Sequence, residues 1–169
     1  MRLLIAAWNT MGWSNERDAY VRSQLKTKDV IALTECGNKI QAFAGRGLIV
    51  ADRPPDGDPA GAAAIALSSR AQDLVIGSGS KGSRLVWVRL QGLFKNILII
   101  AAYIPHSGRK RAPFQEDTLQ ELEDLIQEVS TKGECVIVMG DMNAKLKRGV
   151  EGLTGKYCIH PRADGGERD

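Results

Sequence analysis

The stretch VIVMGDMNAK, residues 136–145, joins an apolar run to two polar side chains. The run breaks at Gly140, and Asp141 and Asn143 follow two positions apart. An uninterrupted apolar run of this length is typical of a strand that is buried on both faces. Packing gives little reason for an acid directly after a glycine at the end of such a strand. The stretch therefore predicts a central strand that delivers a carboxylate and an amide into one small volume.

The segment before this strand has the clearest helical periodicity of the chain. In PFQEDTLQELEDLIQEVSTKG, residues 113–133, apolar side chains recur at intervals near 3.6. Pro113 suits a first helical turn, and Gly133 lies where a helix of this length would have ended. The sequence thus predicts a helix that leads directly into the strand.

Further upstream, RLLIAAWN (2–9), DAYVRSQLKTK (18–28) and DVIALTE (29–35) predict a buried strand, a helix and a second buried strand. Four short apolar or alternating runs then predict a meander of strands: AAAIALSS (62–69), DLVIGSG (73–79), SRLVWVRLQG (83–92) and KNILIIAAYIP (95–105). This order fits an α/β (α+β) fold of packed sheets with helices outside. A chain of 169 residues with 43% hydrophobic content is long enough for one domain with its own core.

Composition excludes several classes of protein. The three cysteines form no CxxC pair and the two histidines add no zinc-like spacing, which favours free thiols in a reducing compartment. No apolar stretch reaches the roughly 20 residues that cross a bilayer. The formal charge of +3 is only mildly basic, so the placement of the charges matters more than their sum. We expect a soluble intracellular protein with no membrane partner.

Polar side chains end the predicted strands. A carboxylate suits Mg²⁺, amides and a phenol suit phosphate oxygens, and a second carboxylate suits a water, so the set predicts phosphodiester hydrolysis. Each residue also has a simpler interpretation, as a turn cap, a surface acid or a solvated aromatic. The candidate residues are Asn9, Glu35, Tyr103, Asp141 and Asn143.

Four motifs in this order, AAWNTMGW, IALTEC, AAYIPHSGR and VIVMGDMNA, resemble those of the endonuclease/exonuclease/phosphatase superfamily. YIPHSG and the tail IHPRADGGERD most resemble the endonuclease domains of non-LTR retrotransposons and genes derived from them. The resemblance implies a four-layer α/β/β/α sandwich, with residues 1–169 as one domain that lacks the C-terminal part of the fold and has an incomplete second sheet. It implies a Mg²⁺- or Mn²⁺-dependent DNA-nicking endonuclease.

Matched position by position, the resemblance implies that Glu35 binds the metal and that Asn9 lies beside it. It places Tyr103 near the scissile phosphate, Asp141 at the attacking water and Asn143 on the phosphate. This sequence departs from the pattern in three places. Met11 stands where repair enzymes of the superfamily have an acid, Thr34 stands where a glutamine is common, and no Ser-Asp-His motif is present. A fragment without that motif is expected to be weakly active or inactive.

Basic residues follow two of the proposed catalytic strand ends and predict contacts with nucleic-acid phosphates. DNA is the expected partner, RNA is an alternative, and a nuclear location follows from a DNA substrate. The sequence is also compatible with a catalytically impaired binding module, an abasic-site repair endonuclease, an RNA nuclease or a phosphatase. An incomplete sheet would leave an edge through which the chain could self-associate. The basic candidates are Arg109, Lys110, Arg111, Lys145, Lys147 and Arg148.

Overall fold

The computed structural model describes residues 2–45, 47–52, 62–106 and 112–143. The strands are β1 (Ile5–Asn9), β2 (Val30–Thr34), β3 (Leu48–Val50), β4 (Ala64–Leu67), β5 (Val75–Lys81), β6 (Leu85–Leu90), β7 (Ile97–Tyr103) and β8 (Cys135–Asp141). The helices are α1 (Asn15–Gln24), α2 (Ser69–Gln72) and α3 (Ala112–Val129), with a 3-10 helix at Asn38–Phe43. The predicted helices before β2 and β8 are confirmed.

The strands form two four-stranded sheets with matching edges. Sheet A has the order β1-β2-β4-β3 and sheet B the order β5-β6-β7-β8. In each sheet one edge strand runs parallel to its neighbour, β1 to β2 and β8 to β7, while the other pairs are antiparallel. The two parallel edges face each other, because β1 packs against β8 and β2 packs against β7.

Three apolar clusters separate four layers. The cluster between the sheets contains Ala32 and Ile65 of sheet A and Val88 and Ile99 of sheet B. On the outer face of sheet A, Val21 of α1 and the 3-10 helix pack against β2 and β4. On the outer face of sheet B, Leu125 of α3 packs against β6 and β7. The expected α/β/β/α sandwich is therefore observed.

Strand β8 does not have the central position that its composition predicts. It lies at the edge of sheet B, and Val136 and Val138 are 38% and 36% exposed. The reason is that the packing of α3 lies over β6 and β7, and no described element covers the outer face of β8. Strand β1, also expected to be buried, is the edge of sheet A, with Ile5 38% exposed. By contrast, β2 is buried at every residue, as predicted.

The predicted four-strand meander is wrong at its first strand. Strand β4 pairs with β2 and β3 in sheet A, and only β5, β6 and β7 follow one another as antiparallel neighbours. The short strand β3, the 3-10 helix and α2 were not predicted, since segments of three to six residues carry too little periodicity. Among the described residues, none of the helices has the length and apolar composition needed to cross a bilayer.

Candidate active site

The carboxyl ends of four strands meet where the two parallel edges face each other. In sheet A, Asn9 is paired with Thr34, and in sheet B, Tyr103 is paired with Asp141. The amide Nδ2 of Asn9 donates a hydrogen bond of 2.8 Å to Oδ2 of Asp141. This bond joins the two sheets at residues 132 positions apart in sequence. The predicted convergence of these side chains is thus present for Asn9 and Asp141.

Backbone amides fix the other side of Asp141. Its Oδ1 accepts a bond of 3.0 Å from the backbone N–H of Asn143, and its carbonyl accepts one of 2.8 Å from the N–H of Ile104. The side-chain amide of Asn143 donates to the carbonyl of Ile104 at 2.9 Å. One N–H of that amide therefore holds the loop, and the amide has a second N–H and an oxygen for a ligand.

Asn9 serves the turn after β1 as well as the contact with Asp141. Its Oδ1 accepts a bond of 3.1 Å from the backbone N–H of Met11, the local pattern of an Asx turn. The turn interpretation and the site interpretation of Asn9 are therefore compatible. Because both ends of the amide are engaged, the side chain of Asn9 has a fixed orientation toward Asp141.

Tyr103 and Glu35 occupy different environments within this region. Tyr103 is 2% exposed, which removes the interpretation of a strand-end aromatic in water. Glu35 is partly buried, and its carboxylate makes none of the hydrogen bonds or ion pairs found within the described residues. Its carbonyl accepts a bond of 2.6 Å from the N–H of Gly12, which ties the loop after β1 to the end of β2. The Glu35 carboxylate is thus available to a cation or to water.

Backbone strain is concentrated at the same place. Within the described ranges, the non-glycine residues with positive φ are Met11 (49°), Glu35 (53°) and Asn143 (43°). Glu35 directly follows β2, and Met11 and Asn143 lie two residues after the last residues of β1 and β8. Asparagine tolerates this region, whereas each of the other two costs about 1–3 kcal/mol. Strain of this kind is typical of sites where side-chain placement matters more than stability.

Gly140 allows β8 to deliver Asp141. Its φ is 139°, and a Cβ atom there would overlap the carbonyl oxygen of Ala102 on β7. The close approach of the two backbones keeps Tyr103 and Asp141 in register at the ends of their strands. The glycine that breaks the apolar run is therefore needed for the geometry of the strand pair.

Two side chains near Glu35 were not singled out from the sequence as site groups. The hydroxyl of Thr34 is buried and has no hydrogen-bond partner within the described residues. Cys36 is fully buried, and burial raises the pKa of its thiol to about 12, which excludes a thiolate nucleophile at neutral pH. A polar residue before Glu35 is visible in the sequence, but its lack of a partner depends on the packing of the sheets.

The donor set limits how a divalent metal could be held. No three histidine, cysteine or acidic side chains cluster as potential ligands in the part of the chain that the structure describes. Glu35, Asp141 and Asn9 offer hard oxygen atoms, which Mg²⁺ prefers, and Mg²⁺ commonly keeps several waters and takes one or two carboxylates. The residues present therefore fit a weakly held Mg²⁺ and do not fit a closed protein cage.

The basic residues predicted to contact nucleic acid lie outside the described residues. These are Arg109, Lys110, Arg111, Lys145, Lys147 and Arg148.

A family model described as Endonuclease/Exonuclease/phosphatase family matches residues 6–152. The chain belongs to the endonuclease/exonuclease/phosphatase family. The match includes each of the five candidate residues, from Asn9 to Asn143, together with the loop after β1.

Among curated proteins, this family member is similar to craniofacial development protein 2. It is 28% identical to the Bos taurus protein and 27% identical to the Tragulus javanicus protein, over 110 residues in each case. The aligned region is 62% of this chain and 18% of each relative. The chain thus spans less than a fifth of the length of these relatives.

Solved structures share the fold at low sequence identity. A D. rerio TDP2 humanized by 14 mutations matches with a TM-score of 0.59 and 17% identity, covering 85% of this chain and 63% of that one. The endonuclease domain of TRAS1, a telomere-specific non-LTR retrotransposon, matches with a TM-score of 0.53 and 18% identity, covering 83% and 58%. The AP endonuclease LMAP from Leishmania major matches with a TM-score of 0.55 and 16% identity, covering 80% and 53%.

Proposed function

We propose that the cluster at the four strand ends is a Mg²⁺- or Mn²⁺-dependent site for phosphodiester hydrolysis, and that its substrate is DNA. The observation that carries this proposal is the hydrogen bond between Asn9 and Asp141, which brings the two sheets' polar strand ends into one site. Family membership supports hydrolytic chemistry on phosphate esters. The finer form of the proposal is DNA nicking of the kind that starts reverse transcription in a non-LTR retrotransposon or a gene derived from one.

The proposed roles follow from the contacts of each residue. Glu35 holds the metal, which when bound neutralises charge that develops on the phosphate. Asp141 orients a water, since Asn9 and the backbone of Asn143 fix its carboxylate while both oxygens keep a free lone pair. Tyr103 and the second N–H of the Asn143 amide bind phosphate oxygens. Asp141 and Asn143 are thus already held by hydrogen bonds, whereas the carboxylate of Glu35 is open to a cation.

Plasmid nicking tests the proposal. With Mg²⁺, the 169-residue chain is expected to nick supercoiled DNA slowly, because loss of a general base costs about 10²–10⁴ in rate and no Ser-Asp-His motif is present. Asp141→Ala should abolish nicking and leave DNA binding unchanged. Asp73→Ala, an exposed acid at the C-terminus of α2, is the matched control and should nick like the unmodified chain. Nicking that survives Asp141→Ala would refute the assigned role.

A second candidate function is a nucleic-acid-binding or interaction module without catalysis. Met11 stands where repair enzymes of the superfamily have an acid, which leaves one carboxylate fewer for a metal and favours this second function. DNA binding with strong salt dependence, together with no nicking in Mg²⁺ or Mn²⁺, would support this function. Parallel assays with an abasic-site duplex, RNA and p-nitrophenyl phosphate distinguish a repair enzyme, a ribonuclease and a phosphatase.

Self-association through the paired edges of the sandwich is a further part of the proposal. Strands β1 and β8 lie against each other, and both expose apolar side chains, among them Ile5 and Val138. Sedimentation equilibrium should show a dimer that Val138→Lys weakens, since a charge on an edge opposes pairing. A nuclear location is also proposed, and imaging of a fluorescent fusion tests it.

A further inference from the structure

The loop after β1 presents a large apolar side chain beside the polar cluster. Met11 is 75% exposed and lies two residues after Asn9, whose side chain contacts Asp141. Its chain neighbours are turned inward, because Thr10 is 2% exposed and Trp13 is 4% exposed. In this anchored loop, Met11 is the large apolar residue that faces solvent.

Hydrogen bonds on both sides hold the backbone of Met11. Its N–H donates to Oδ1 of Asn9 at 3.1 Å, and its carbonyl accepts from Nη1 of Arg17 at 3.2 Å. The next N–H, of Gly12, donates to the carbonyl of Glu35 at 2.6 Å. A left-handed φ of 49° is thereby imposed on a residue that rarely adopts it. The thioether consequently starts from a fixed backbone position at the site.

The guanidinium of Arg17 adds a cation to the same loop. Arg17 lies in the first turn of α1, which Ser14 caps by accepting from the N–H of Arg17 at 3.3 Å. Only one of its N–H donors is used by the carbonyl of Met11, so others remain for a phosphate oxygen. A soft apolar side chain and a guanidinium bonded to the backbone of the same residue match the two parts of a nucleotide, its base and its phosphate.

We propose that Met11 and Arg17 form a nucleotide subsite next to the hydrolytic site, in which Met11 contacts the base that neighbours the scissile phosphate. The inference rests on the proposed function and restricts the substrate of the hydrolytic site to a nucleic-acid strand with an accessible base. A small phosphate ester would leave this subsite unused. The contact of a thioether with an aromatic face is modest, and the expected gain in affinity is about three- to tenfold.

The test compares two single-stranded oligonucleotides of equal length and charge, one with normal bases and one with an abasic tetrahydrofuran backbone. Fluorescence anisotropy in Mn²⁺ should show about three- to tenfold tighter binding of the strand with bases. Met11→Ala should abolish that preference, and Met11→Leu should retain it. Leu93→Ala is the matched control, because Leu93 is 77% exposed and lies between β6 and β7, away from the carboxyl end of β7.

Equal binding of the two strands by the unmodified chain would overturn the inference, as would a base preference that survives Met11→Ala. Neither result touches the proposed hydrolysis, which plasmid nicking and its dependence on Asp141 test separately. The melting temperature of Met11→Ala should equal or exceed that of the unmodified chain, since the substitution removes an exposed side chain. A loss of preference is then attributable to the absent apolar side chain rather than to a damaged loop.

Discussion

Replacing Gly140 by alanine should strongly lower the free energy of unfolding, although the change adds only one methyl group. Gly140 has a φ of 139°, and a Cβ atom there would lie 3.1 Å from both the carbonyl carbon and the amide nitrogen of Ala102 and would overlap its carbonyl oxygen. These atoms belong to the backbone of β7, which is paired with β6 on its other side. The clash therefore cannot be relieved by a side-chain rotation and must separate β7 from β8.

The magnitude has two parts. A left-handed φ costs an alanine about 1–2 kcal/mol. Overpacking against an immobile neighbour costs about 1–3 kcal/mol more. The free energy of unfolding should thus fall by about 2–5 kcal/mol, a large share of the roughly 5–15 kcal/mol that stabilises a typical domain.

Gly133→Ala provides the matched comparison. Gly133 follows α3 with a φ of 89°, but apart from its chain neighbours no atom of the described residues lies within 4 Å of the position that a Cβ atom would take there. This variant should lose only the backbone part, about 1–2 kcal/mol. Urea unfolding followed by circular dichroism measures both variants, with the slope m checked for equality. If Gly140→Ala loses no more stability than Gly133→Ala, the close approach of β7 and β8 is wrong.

Three further predictions concern stability, pH and charge. Thr34→Val should preserve or raise the free energy of unfolding, because the buried hydroxyl of Thr34 has no partner within the described residues. Thr118→Val should lower it by about 1–3 kcal/mol, because the hydroxyl of Thr118 donates to the carbonyl of Phe114. Urea unfolding compares the two variants. A hydrogen bond from Arg70 lowers the pKa of Asp29. The carboxylate therefore stabilises the fold at pH values above its ordinary pKa, and this stabilisation is lost as the pH falls through the lowered pKa. Between about pH 5 and pH 2, the free energy of unfolding should depend less on pH in Asp29→Asn than in the unmodified chain. Neutralising the basic residues 109–111 should reduce the salt dependence of DNA binding by about one counterion for each phosphate that is no longer bound, and an unchanged slope in a salt titration would contradict that role.

The apolar pattern of the sequence predicted α3 and β2 correctly. The helix buries one continuous stripe and the strand buries both faces, so in each element the apolar positions coincide with the buried ones. The same logic failed for β8. An apolar composition shows that a strand suits a buried position, but it does not show which neighbours are present to cover it. The edge positions of β1 and β8 depend on the order of strands in two sheets, and sequence periodicity carries no information on that order.

The candidate site was predictable in part. Polar residues at strand ends made Asn9, Asp141 and the others candidates without knowledge of the topology. The contact between Asn9 and Asp141 depends on the packing of two parallel edges, and only the structure shows it. The left-handed backbone of Met11 and Glu35 gives no sequence signal, since neither residue type favours positive φ, whereas asparagine at 143 does.

Paramagnetic broadening by Mn²⁺ tests the central claim most directly, because it locates a metal without requiring turnover. In ¹H–¹⁵N spectra of the 169-residue chain, the amide signals of Asn9, Glu35 and Asp141 should broaden first as Mn²⁺ is added, and Glu35→Gln should abolish this pattern. Mg²⁺ in excess should restore the signals by competition. Broadening that starts at another part of the chain, or that Glu35→Gln leaves unchanged, would show that the four strand ends do not form a metal-dependent site.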